Sequence, residues 1–254
     1  MKLPGFVPED LRQLVRFVPL RGWDAVEWAP MMRSLRGISW QYVSRRGVRR
    51  LGERVAETVP EVAIVQVLEG DLEELDDASR RHVGDALLRL YFGQLLVEEG
   101  LFLDLRIARL GHDEERLQFA PNGLWIRLDP GFRQGMLALY RSFYGSDEAA
   151  FDRALRQMGV LRDGLGGAAE EELKALLEAH FGVKQHDQRF AIDDFKHSFD
   201  ELFEFFVAHD YRLRSDFVFV GFYLITLYLS LERLGQSHDV RSICEATLLE
   251  GRGP

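Results

Sequence analysis

The sequence predicts a mainly α protein with a small β insert. Three observations carry this expectation. Apolar residues recur at helical spacing along most of the chain. Strand-like runs are few and lie between residues 62 and 128. The chain has 254 residues, of which 46% are hydrophobic, which is ample for a real core and excludes a disordered or low-complexity chain.

Taken in order, residues 1–60 predict a separate helical, Arg/Trp-rich N-terminal arm, punctuated by Pro19, Pro30 and Gly37. Residues 61–254 predict one α-rich body. VAIVQVL at 62–68 is β-branched, bounded by Pro60 and Gly70, and predicts a strand. The helix that follows carries Val83, Ala86, Leu87, Leu90, Tyr91 and Leu95, with Gly100 as its stop. DLRIARL at 104–110 and RLQF at 116–119 predict two strands flanking the polar turn GHDEE. Pro121-Asn122-Gly123 supplies the fixed φ and the positive-φ position of a tight turn, which predicts a β-hairpin between QF and LWIRL.

Helices fill the rest. Phe132, Met136, Tyr140 and Phe143 mark one. Ser146-Asp147-Glu148 caps the next, which carries Phe151, Ala154, Leu155 and Met158 and ends at Gly159. GLGG at 164–167 is a joint, followed by the helix AAEEELKALLEAHFG. Phe190, Phe195, Phe199, Leu202, Phe203 and Phe206 form a thick aromatic stripe, read as core. A helix from Asp216 to Leu234 includes the most apolar stretch, Phe217 to Leu231, which is shorter than a span of about 20 residues and so predicts a buried core helix. A short helix near Val240 to Leu249 closes the series.

Charge is unevenly placed. Up to Arg54 there are eleven Lys and Arg against five Asp and Glu, a net of +6, so the remainder of a chain of net −9 carries −15. Arg33, Arg36, Arg45, Arg46, Arg49, Arg50 and Arg54 fall within 22 residues, with Trp40 among them and Trp23 and Trp28 nearby. This predicts a surface for an anionic partner, either lipid headgroups or an acidic protein. The competing reading is an exposed face whose arginines pair with the protein's own acidic body. Nucleic acid is disfavoured, because the rest of the chain repels phosphates. The single Cys244 allows no internal disulfide, and MKLPGFVPEDLRQLV has no apolar region of a signal peptide. These point to a cytoplasmic protein, peripheral to the membrane where the arginine surface meets lipid.

Most catalytic signatures are missing. There is no phosphate-binding loop of Gly-x-x-x-x-Gly-Lys-Ser/Thr or Gly-x-Gly-x-x-Gly type, no Cys pair or His-Glu-x-x-His for zinc, no Glu-x-x-His pair and no Gly-x-Ser-x-Gly elbow. No cofactor is expected. The histidines, His82, His112, His180, His186, His197, His209 and His238, are scattered; His82 and Asp85 are neighbours on one helix. Asp104, His112, Asp113, Glu114 and Glu115 lie around one turn. They give two readings, a carboxylate site of a divergent enzyme or a solvated hairpin loop. Lysine is rare: between Lys2 and Lys174 there is none to hold nucleotide phosphates.

The order of elements from Glu61 to Leu249 resembles the UbiB/AarF (ADCK-type) family of atypical kinase-like proteins. The resemblance rests on VAIVQVLEG, on the helix ending VEEGLF, on Arg127-Leu128-Asp129-Pro130, and on the helices that begin FRQGMLALYRSFYG and LRSDFVFVGFYL. It implies a body like the C-lobe of a protein-kinase-like fold. It also implies that the chemistry is lost. The family's catalytic loop reads His-x-Asp-x-His-Pro-Gly-Asn. Counting from Gly100, those polar positions fall on Leu103, Leu105, Ile107 and Leu110, with Asp104 one place off. Counting back from Arg127 puts Pro121-Asn122-Gly123 on the family's Asp-Phe-Gly, so the metal-binding Asp has become Pro121. Sixty residues are too few for a full N-lobe. The resemblance therefore implies a non-catalytic scaffold or accessory subunit that binds a protein partner, or its own copy, in a lipid- or quinone-related complex. An unrelated helical adaptor is the remaining reading, marked by the absence of a two-stranded insert beside the helix at 79–99.

Overall fold

In the computed structural model, residues 9–18, 25–34, 45–113, 116–145, 148–162, 164–181 and 187–249 are described. The protein is mainly helical, with three very small sheets among the described residues. The helices are α1 (Glu9–Val15), α2 (28–34), α3 (Arg45–Thr58), α4 (Asp77–Leu96), α5 (Pro130–Gly145), α6 (Glu148–Gln157), α7 (Gly167–Phe181), α8 (Ile192–Ala208), α9 (Ser215–Leu234) and α10 (Val240–Leu249). The strands are β1 (Val62–Ile64), β2 (Leu101–Phe102), β3 (Leu110–His112), β4 (Leu117–Phe119), β5 (Trp125–Ile126), β6 (Gln188–Arg189) and β7 (Ser237–His238).

The core is built around α9. It is long and apolar enough to cross a bilayer, yet 78% of its apolar window is buried inside the fold. Its polar residues explain why it belongs there. Tyr223, Thr226 and Ser230 are fully buried, and each hydroxyl donates to a main-chain carbonyl: Tyr91 O, Leu103 O and Leu105 O. Gln94 of α4 donates to the Tyr223 hydroxyl at 2.7 Å and accepts from Phe102 N at 2.6 Å. A helix in lipid would carry no such set of partners for the loop of another element. The aromatic stripe of α8 packs against α9, with Phe195, Phe199, Phe203 and Phe206 fully or almost fully buried.

Local signals set the helix ends. Asp76 caps α4 by accepting from Ser79 N at 2.8 Å. The helix stops at Leu96 rather than running to Gly100, because Val97–Gly100 hands the chain to β2. Arg133 then donates to the carbonyl of Leu95, in the last turn of the helix, at 2.7 Å. Asp129-Pro130 opens α5: the Asp129 carboxylate accepts from Phe132 N at 3.0 Å, and proline takes the first helical position. On α4, Gly84 lets the buried His238 ring approach so closely that a Cβ would collide with it. Asp85 meets His238 Nδ1 at 2.7 Å, so Asp85 answers His238 and not His82.

The strands differ most from the sequence expectation. The expected strand 62–68 shortens to Val62–Ile64, which runs parallel to β4, and Val67 is 77% exposed. DLRIARL is not a strand along its length. Residues 104–106 are irregular, Ile107–Arg109 winds as a 3-10 turn, and only Leu110 begins β3. The hairpin is therefore β3–β4, with Leu110 opposite Phe119 and His112 opposite Leu117. Pro121-Asn122-Gly123 does not close a hairpin: β4 joins the sheet β1-β4-β3, while β5 pairs with β2, Leu101 opposite Ile126. The turn moves the chain from one sheet to the other. The described parts of residues 1–60 share this core. Leu14, Val15, Val18, Val26, Met31, Leu51 and Val55 belong to the same buried cluster as α4 and α9.

Candidate functional site

The loop between β2 and β3 is the place to look for chemistry. Backbone alternation sets its two sides. Leu103 and Leu105 are fully buried on the side of α9, where Thr226 Oγ1 accepts from Leu105 N at 3.1 Å. Asp104 points the other way and is only 1% exposed. Leu110 is buried, Ile107 is partly buried against the core, and both serve packing.

The turn 121–123 lies alongside. Leu103 N donates to Leu124 O at 2.8 Å. Gly123 has φ of 80°, the left-handed region that favours glycine. Asn122 holds the turn closed by accepting from Leu124 N at 3.0 Å, and its amide donates at 2.9 Å to Asp104 Oδ2. Pro121 is half-buried and offers no side-chain donor or acceptor.

Asp104 is heavily occupied. Arg106 donates to it through Nε (2.7 Å), Nη2 (2.9 Å) and its backbone N (3.2 Å). Arg109 Nε reaches it at 3.4 Å. A second carboxylate arrives from α1. Asp10 takes Arg106 Nη2 at 2.9 Å and Asn122 at 2.9 Å, with Arg109 Nη2 at 3.6 Å, while Gln13 accepts from Arg106 Nη1 at 2.8 Å. The hydrogen bond to Asp104 raises the Arg106 pKa further, against the opposing effect of burial. The outcome is a charge-balanced cluster of two acids and two guanidiniums under α1.

The described acids of the carboxylate reading, Asp104 and Asp113, have separate partners. Asp104 belongs to this cluster, whereas Asp113 sits at the hairpin tip, accepting from Arg116 N at 2.8 Å. Glu114 and Glu115 lie outside the described residues. Among the described residues no group of three or more His, Cys, Asp or Glu side chains could hold a metal ion.

The arginine surface is partly spent internally. Arg50 Nε and Arg54 Nη1 both clamp Glu99 at 3.1 Å. Burial would raise the Glu99 carboxyl, but its hydrogen bonds and the charges of Arg54 and Arg50 outweigh that and hold it below the usual range. Arg49 pairs with Glu53 at 3.5 Å. Arg33, Arg45 and Arg46 are exposed. Arg36 and Trp40 lie outside the described residues.

Sequence reasoning missed Asp10, Gln13, Arg106 and Arg109. The available signal was three charges, Asp104, Arg106 and Arg109, set in the otherwise apolar run LFLDLRIARL. The chain matches no protein-family model and no curated protein.

Proposed function

We propose that this protein is a catalytically silent, kinase-like body that acts by binding another protein. In a kinase, catalytic-loop and Asp-Phe-Gly residues hold the same metal ions, so their two loops must lie side by side. The observation that carries the reading is that loop 103–110 and turn 121–123 are joined here in that way, through Leu103 to Leu124 and Asn122 to Asp104. A shorter hairpin than the expected insert at 104–119, β3–β4 at Leu110–Phe119, lies beside α4, which supports this reading over an unrelated helical adaptor.

The groups at those loops do not fit a nucleotide and its metal ion. Asp104 is engaged by two guanidiniums and an amide, and leucines fill the neighbouring positions. Phosphoryl transfer depends on positioning and charge neutralisation, and neither is supplied. Binding remains as the mode of action, through a separate partner or a second copy. An anionic lipid surface is the weaker partner, because Arg49, Arg50 and Arg54 already answer acids of this chain.

The test is a thermal-shift titration with ATP, with and without magnesium. The reading expects no shift. Ligand at 100 times its Kd would add about 2.7 kcal/mol to the folded state. A saturable, metal-dependent shift overturns the silent-site reading.

A further inference from the structure

We propose that Arg106, Arg109 and Asn122 form a carboxylate receptor that the chain fills with its own Asp10, so that α1 is a resident pseudo-ligand. The inference rests on the geometry of the cluster and not on the kinase-like reading. Two hydrogen-bond donors, Arg106 and Asn122, and the Arg109 guanidinium at ion-pair distance come from one short stretch and one turn, and they converge on the Asp10 carboxylate. Arg106 Nη2 holds Asp10 Oδ1, while Asn122 Nδ2 and Arg109 Nη2 face Oδ2. Both oxygens are addressed, as charge-assisted recognition of a planar carboxylate requires.

The receptor is held in shape without Asp10. Asp104, 1% exposed, fixes Arg106 by two side-chain hydrogen bonds, reaches Arg109 and orients the Asn122 amide. Leu124 N fixes the other end of that amide. Charge gives the direction. With Asp10 in place, two acids balance two guanidiniums. Without it, two guanidiniums share one acid, Asp104, among the described residues, with donors already aimed at the vacated position. Asp10 is delivered from 96 residues away in sequence by a helix of seven residues. Leu14 and Val15 anchor that helix independently in the core. Removing the Asp10 carboxylate therefore empties the receptor while leaving α1 its apolar footing. A carboxylate from outside, such as an acidic side chain of a partner, enters only in exchange for Asp10.

The experiment uses the full chain and formate as the probe, at constant ionic strength with chloride as the balancing anion. Asp10→Ala is expected to melt lower than the parent and to regain stability saturably with formate. The parent, whose receptor is filled, gains no such increment. Asp10→Ala/Arg109→Ala is expected to lose most of the response while still folding, since Arg106 and Asp104 then balance each other and no excess positive charge is left to hold formate. The proposal is overturned if Asp10→Ala responds to formate no more than the parent. It is equally overturned if the double variant responds as strongly as Asp10→Ala, which would mark a general salt effect. Neither outcome involves nucleotide or metal, so its failure is separate from failure of the silent-site reading.

Discussion

Asp104→Ala distinguishes a structural carboxylate from a chemical one. The side chain is 1% exposed and accepts from Arg106, Arg109 and Asn122. Removing one partner of a buried ion pair costs about 3–5 kcal/mol, because the remaining charge is left uncompensated. Arg106 and Arg109 keep 22% and 32% of their side chains exposed, so water and Asp10 recover part of that loss. The lower end applies, about 3 kcal/mol. The assay is urea unfolding at pH 7, comparing midpoints at unchanged slope. A carboxylate kept for chemistry is commonly held at a cost to stability, and its removal is neutral or stabilising. An Asp104→Ala variant as stable as the parent would refute the structural role and return Asp104 to the list of reactive groups.

Two further outcomes follow from the core. His180 is buried against Phe195 and Phe199, and burial lowers its pKa from 6.5 to about 3. The unfolded chain takes up a proton that the folded one refuses, so this stability is present above pH 6.5 and is lost as pH falls toward 3. Linkage puts the loss near pH 5 at about 2 kcal/mol. His180→Phe should flatten the difference in urea midpoint between pH 7.5 and pH 5, and equal differences in both proteins would refute it. Thr226→Arg sets a charge where a fully buried hydroxyl bonds Leu103 O and Leu105 N, and should cost more than about 4 kcal/mol. A folded variant of parental stability would overturn the buried placement of α9.

The helices were legible because each carries its own evidence. Phe195, Phe199, Leu202, Phe203 and Phe206 repeat at helical spacing, and every one is buried. The strands carry no such local evidence. β2 and β5 have two residues each, and their existence is decided by the partner across the gap. DLRIARL misleads because charge alternation imitates a strand. The alternation is real at 103–105, where two leucines are fully buried and Asp104 between them meets the arginines that also bind Asp10 of α1. It fails at Ile107–Arg109, where a 3-10 turn brings Arg109 round to the same acid as Arg106.

Charges are read worst of all, because a sequence shows a charge and not what answers it. The arginine run of α3 reads as a surface for an outside anion, yet Arg50 and Arg54 both close on Glu99, 49 and 45 residues away. The candidate site has the same history. The leucines at 103 and 105 look, beside the kinase-like family, like catalytic groups that have been lost. In the fold they are a requirement: both side chains are fully hidden from water, and the backbone that carries them is bonded to Thr226 and Ser230 of α9. A polar group at either position would be buried without a partner, at a cost of about 1–3 kcal/mol or more. The apolar residues and the arginine-bound Asp104 are thus two sides of one loop, the first locking it to α9 and the second to α1. Replacing Leu103 or Leu105 singly by a polar residue would loosen that loop.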